Sequence, residues 1–171
     1  MVHSRNKVEW CLKKASNEGK KHRGLTLINP DYNIAQAHLN KAEHNLNVMN
    51  YLIKGDFADW AVNASFYAHY HCLLAMLALF GYESRNQECT FAAVMNLIEE
   101  GKLNLKEQDI SYISSNAGEM DDSSIVELRE RFQYGTETSY AKTKMHELFF
   151  ETLEFIEKSK VIIEEIRETE L

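Results

Sequence analysis

Two stretches of the chain hold side chains whose types and spacing could do chemistry. The first is Leu128 to Gly135, which carries Arg129, Arg131, Gln133 and Tyr134. Setting Ile125 to zero and advancing about 100° per residue puts Leu128 near 300°, Phe132 near 340° and Arg129 near 40°. Arg129 thus borders an apolar face, Gln133 follows one turn on, and Arg131 points elsewhere. A guanidinium held beside a core calls for a carboxylate, a phosphate or an interface partner. Two partners suit it equally: an acidic residue of a neighbouring helix, acting as a buttress, or a bound anion. The second stretch runs from Trp60 to His71, where Trp60, Asn63, Tyr67 and His71 fall at i, i+3, i+7 and i+11. They line one stripe of polar-tipped side chains. Such a stripe is either a set of core aromatics with a satisfied histidine, or the wall of a cleft or subunit interface where Asn63 and His71 meet a ligand.

Metal and cofactor chemistry finds little to use. A carboxylate-bridged di-iron bundle needs Glu-x-x-His on two helices, and no histidine here has Glu three residues before it. His146-Glu147 lacks the second histidine of a zincin helix, and His69 and His71 lie about 200° apart on a helix. Gly19 to Thr26 imitates a phosphate loop but lacks the lysine after its second glycine, and no strand is predicted before it. No GxGxxG or GxSxG occurs. No metal or cofactor is expected.

The elements that position these stretches are helical. The chain has 7 Gly and 1 Pro in 171 residues, too few turn formers for an all-β sandwich or barrel. A first helix is predicted over Arg5–Ser16 and a loop over Gly19–Asn29. Asn29 and Pro30 read as N-cap and first residue of a second helix, whose Ala35, Leu39, Ala42, Leu46, Met49 and Ile53 recur every three or four residues. Gly55 ends that helix and Asp56 is expected to cap a third, which reaches Phe80 and stops at Gly81. Its second half is apolar all round, as a central buried helix should be. Shorter helices fit Cys89–Glu100 and Lys106–Ser114. Ser124-x-x-Glu127 forms a capping box for a helix that stops at Gly135. The last helix is expected over Ser139–Glu168. The expectation is an all-α, antiparallel up-and-down helical bundle in a single domain spanning 1–171, with about four long helices.

Net charge is −7, which argues against a whole-surface nucleic-acid binder. The sum hides a basic head and an acidic tail: residues 1–25 hold seven Lys/Arg and two Glu, while 147–171 hold three Lys/Arg and eight Glu. The N-terminal stretch shows no signal peptide, and the longest apolar run, Cys72–Phe80, is too short to span a bilayer. Three cysteines, without a CxxC pair, fit a reducing compartment. A cytoplasmic protein with no membrane partner is expected.

Together the two stretches resemble the HEPN family (higher eukaryotes and prokaryotes nucleotide-binding), specifically its small prokaryotic members. Ser65-Phe-Tyr-Ala-His-Tyr-His71, followed by the Ala/Leu-rich run and Gly81, is similar to that family's Ser-Tyr-Tyr-Ala-x-x-His segment. Arg129 to Gly135 resembles its Arg-x-x-x-Asp-Tyr or Arg-x4–6-His region, and the likeness is clearest over about residues 31–135. The resemblance implies a helical homodimer that binds a nucleotide, RNA or a partner protein, and a minimal nucleotidyltransferase as an antitoxin-like partner. Arg129 and Tyr134 take the catalytic positions, and Asn63, Tyr67, His71 and Arg131 the ligand- or RNA-binding ones. Active members of the family cleave RNA without a metal, using Arg and His from both subunits. Here Tyr134 stands where the histidine belongs, and an ordinary tyrosine pKa of about 10 makes a poor base at neutral pH. A binding module is therefore the first expectation, a metal-independent ribonuclease toxin using Arg129 the second, and a non-catalytic scaffold the third.

Overall fold

The computed structural model describes residues 2–114 and 124–170. It is 77% helical. Its elements are α1 (Val2–Glu18), β1 (Leu25–Leu27), α2 (Tyr32–Lys54), α3 (Ala58–Leu79), β2 (Tyr82–Ser84), α4 (Gln87–Glu99), α5 (Glu107–Ile113), α6 (Ile125–Tyr134) and α7 (Lys142–Glu170). The expected all-α class holds, with α1, α2, α3 and α7 as the long helices. By contact the chain divides into two compact units. One comprises Met1–His38, Leu73–Ile110 and Val161–Leu171, the other Leu39–Cys72 and Ser111–Lys160.

In the first unit α1 lies antiparallel to α4. Ser4 Oγ donates to Glu99 Oε2 at 2.6 Å near one end of the pair, and Cys11 is joined to Cys89 by a disulfide near the other. The buried Val8, Cys11 and Ala15 of α1 recur at the three- and four-residue spacing of one helix face. Cys89, Ala93, Val94 and Leu97 do the same on α4. The disulfide departs from the sequence expectation. Two cysteines 78 residues apart leave no spacing signal, and such a bond is unusual in a reducing compartment. Cys72 remains as a buried thiol, its pKa pushed up to about 12 by desolvation.

The segment predicted as a loop over Gly19–Asn29 carries more structure than that. A 3-10 turn covers Gly19–Lys21, and β1 pairs antiparallel with β2, Leu25 opposite Ser84 and Leu27 opposite Tyr82. Two glycines allow this. Gly24 brings the chain so close to α1 that a Cβ there would sit 2.6 Å from the Cys11 carbonyl oxygen. Gly81 adopts φ +75, a left-handed conformation that glycine reaches without strain. Its carbonyl also accepts the Ile28 N–H at 2.8 Å.

Both ends of α6 follow from local capping chemistry. Ser124 Oγ accepts the Glu127 N–H at 3.2 Å, the serine half of the expected capping box, and the Gly135 N–H closes on the Arg131 carbonyl at 2.9 Å at the glycine stop. The start of α2 differs from expectation. Asn29 and Pro30 precede the helix, and Asp31 caps it by accepting from the Asn33 and Ile34 N–H groups at 2.8 and 3.1 Å. Asp56 does not start α3. It takes a left-handed turn (φ 59), and the first helical carbonyl is that of Phe57, which accepts from Ala61 N at 3.0 Å.

Candidate functional site

The second unit holds both stretches. α3 and α7 run parallel there, stitched by buried polar groups. Ser65 Oγ and Thr152 Oγ1 share a hydrogen bond of 2.8 Å, and Thr152 in turn donates to the Leu148 carbonyl at 2.6 Å. His69 stacks on Phe155 at 4.9 Å between ring centroids, and Cys72 hydrogen-bonds Ser159. A hydroxyl that returns its proton to the carbonyl one turn back can sit inside a helical core without an unpaired donor. The small residues of α3 let such short side chains meet.

Arg129 lies where the helical arithmetic put it, on the core side of α6. It is only 8% exposed, yet its guanidinium carbon sits 4.3 Å from the centroid of the Phe66 ring of α3. The partner on the neighbouring helix is therefore an aromatic face, where the buttress reading expected a carboxylate. A weakly hydrated planar cation stacks on such a ring and keeps its in-plane donors available. Among the described residues the carboxylate paired with it is Glu130, 3.9 Å away on its own helix. Among them, too, the Arg129 Nε has no hydrogen-bond partner. Desolvating a guanidinium donor without pairing it is costly, and this nitrogen is itself closed to solvent.

The α3 stripe is on the outside. Trp60 is 63% and Tyr67 45% exposed, while Asn63 and His71 are half-buried. This decides against the core-aromatic reading, since the core positions are taken by Val62, Phe66, His69 and Leu73. Asn63 Nδ2 donates to the Asp59 carbonyl at 2.9 Å, one turn back. Arg129 touches α3 at Phe66. That ring meets Tyr67 edge-on at 5.3 Å and stacks with Tyr70 at 5.9 Å, and Tyr70 in turn contacts the His71 ring. Arg129 and the stripe are thus linked through one aromatic side chain. Sequence reasoning does not single out Phe66. Its only signal is its place in the Ser65-Phe66-Tyr67 segment, next to a tyrosine of the stripe.

Arg131 points away from Arg129, as expected. It pairs with Glu137 at 3.2 Å and lies over the rings of Phe132 and Tyr140 at 5.4 and 6.0 Å. Tyr134 ends α6 with 77% of its surface exposed. His69, which no functional reading used, is fully buried. Its Nδ1 bonds the Ser65 carbonyl at 2.9 Å, and Tyr112 meets the ring edge-on at 6.0 Å. Burial lowers its pKa to about 4, so the ring is neutral near pH 7. Tyr112 donates to Glu151, and burial together with that carboxylate raises its pKa. Tyr112 lines a cleft of about 220 Å³ with Ser124, Tyr140 and Lys144, and His69 packs behind that wall.

Among the described residues, no group of three or more His, Cys, Asp or Glu side chains is placed to hold a metal ion. No helix among them is long and apolar enough to cross a membrane. Compared with known families, residues 35–168 match the model described as HEPN domain. No curated protein matches the chain.

Proposed function

Because the chain belongs to the HEPN domain family, whose members often form dimers and bind nucleotides or RNA, we propose that it is a nucleotide- or RNA-binding helical homodimer. In this reading it works with a minimal nucleotidyltransferase in a toxin–antitoxin-like module. Family membership supports the nucleotide- or RNA-related role. The observation that carries the finer reading is the Arg129 guanidinium, fixed on the Phe66 ring with 10% of its side chain still open to solvent. A phosphate oxygen would meet the exposed part of this group, and the ring holds the guanidinium in place before the ligand arrives. Tyr134, exposed at the end of the same helix, extends the contact, and Arg131 offers a second cation on another face of that helix. The exposed Trp60 and Tyr67 serve as the face that a second copy covers, beside Asn63 and His71.

Binding ranks ahead of cleavage because Tyr134 occupies the position of the motif histidine. Arg can stabilise charge on a phosphorus centre, but an efficient base near neutral pH is the part a histidine would supply. The test is fluorescence anisotropy with a labelled oligoribonucleotide, run on wild type, Arg129→Ala and Arg129→Lys. Light scattering on the same samples checks for a mass of twice 19.8 kDa. Loss of a charged hydrogen bond predicts binding about tenfold weaker or more for Arg129→Ala. Arg129→Lys falls between, since it keeps the charge and loses the planar stack. A monomer whose affinity is the same in all three proteins refutes the proposal. Metal-free RNA cleavage that disappears in Arg129→Ala would instead identify the ribonuclease.

A further inference from the structure

His22 lies between the 3-10 turn and β1 in the first unit, ahead of the family match that begins at residue 35. The residue is only 6% exposed. Its Nδ1 accepts the Gly24 main-chain N–H in a long bond of 3.4 Å. A neutral imidazole that accepts at one nitrogen carries its proton on the other, so Nε2 is a donor. Among the described residues Nε2 has no hydrogen-bond partner, and it is not closed off in the core. It opens on a groove of about 660 Å³, which His22 lines together with Leu12, Ala15, Ser16, Lys20 and Leu27. A volume of that order suits a small molecule. A nearly buried donor with no acceptor of its own leaves a place for one.

Both walls stand ready before a ligand arrives. α1 is tied to α4 by the Cys11–Cys89 bond, and Gly24 lies so close to the Cys11 carbonyl that no side chain fits between them. β1 is held in place by β2. The half-buried Leu12 and the exposed Leu27 offer the groove an aliphatic surface. Arg85, also on its rim, is answered by Glu83 at 2.8 Å, and its Nη1 donates to the Lys20 carbonyl at 3.2 Å. The Lys20 ammonium has no carboxylate partner among the described residues, which leaves one cation beside the His22 donor. None of the described residues that line the groove is Asp, Glu, Phe, Tyr or Trp. An organic cation would find no charge to answer it there, and a nucleobase no ring on which to stack. We infer that the groove binds a medium-chain carboxylate. Its oxygens meet His22 Nε2–H and the Lys20 ammonium, and its alkyl chain lies along Leu12 and Leu27. One negative charge answers the one unpaired cation.

The test is isothermal titration calorimetry of the full chain with sodium decanoate, decyltrimethylammonium and AMP, joined to methyl NMR spectra. Saturable binding of decanoate alone is expected. The methyl signals of Leu12 and Leu27 should shift, while those of Leu128, next to Arg129 in the chain, stay in place. Lys20→Glu, at an exposed position, should weaken decanoate binding about tenfold or more. His22→Gln keeps an N–H donor and His22→Leu has none, so the leucine variant should bind about tenfold more weakly than the glutamine one. Circular dichroism checks that each variant folds, and Lys20→Glu decides the matter if a His22 variant does not. The inference is overturned if decanoate does not bind, if the decyl cation binds equally well, or if AMP binds in its place. Shifts at Leu128 in place of Leu12 and Leu27 overturn it, as does an affinity that Lys20→Glu leaves unchanged, or one that two folded His22 variants share. None of these readouts depends on Arg129, so this site and the proposed RNA contact fail separately.

Discussion

Lowering the pH from 7.5 to 4 should destabilise the protein through His69. The ring is 1% exposed, enclosed by Phe155, Tyr112 and the α3 backbone. Burial moves its pKa from 6.5 down to about 4, opposed only in part by the Ser65 carbonyl bond. Above pH 6.5 the imidazole is neutral in both the folded and unfolded chain, and its contribution is fully present. Between 6.5 and about 4 the unfolded chain binds a proton that the folded chain refuses, so stability falls as pH falls. A tenfold difference in proton affinity between the two states corresponds to about 1.4 kcal/mol, so the loss across this window is about 3 kcal/mol. Below pH 4 both states are protonated and the loss from this group stops. Urea unfolding followed by circular dichroism at closely spaced pH values measures it, with His69→Gln as the reference that cannot titrate. The stability difference between wild type and variant should shrink by about 3 kcal/mol between pH 6.5 and 4. Parallel curves, or a His69 NMR titration centred between 6 and 7, refute the burial argument.

Other consequences are as direct. Reducing the Cys11–Cys89 bond, which closes a 78-residue separation, should lower stability by up to about 4 kcal/mol; urea midpoints with and without a thiol reductant read this, and an unchanged midpoint would show that the bond constrains nothing. Cys72, buried and with its pKa pushed up to about 12, should resist iodoacetamide in the native protein at pH 8 and react once urea unfolds it. Mass spectrometry distinguishes the two, and rapid native labelling would contradict the packing. Ser124→Ala removes the side-chain acceptor of the Glu127 N–H and should cost about 1 kcal/mol. A change below the error of the unfolding curve would mean that α6 does not depend on that cap.

Much of the helical fold can be read along the chain because helix signals are local. The three- and four-residue recurrence of Ala35, Leu39, Ala42 and Met49 reflects one buried face. Ser124 and Gly135 carry enough chemistry to place both ends of α6. Expectation and structure part where two local signals compete or where distant residues decide. Asp31 lies just after Asn29-Pro30, and its carboxylate captures the cap because Ile28 and Asp31 are pinned by main-chain bonds to Gly81 and Ala78. The pairing of β1 with β2 joins segments more than fifty residues apart, so three residues of Leu-Thr-Leu have no periodicity long enough to announce a strand.

The candidate site divides in the same way. Helical arithmetic on the sequence alone puts Arg129 at the edge of a core and Arg131 away from it, because side-chain direction along a helix follows from 3.6 residues per turn. It also groups Trp60, Asn63, Tyr67 and His71 on one stripe. Only the tertiary structure decides that this stripe faces outward, that Phe66 and not a carboxylate receives Arg129, and that Cys11 meets Cys89. Local sequence determines which side chains share a face. Which face is buried, and against what, depends on contacts between segments that are far apart in the chain, and those contacts form only when the helices pack.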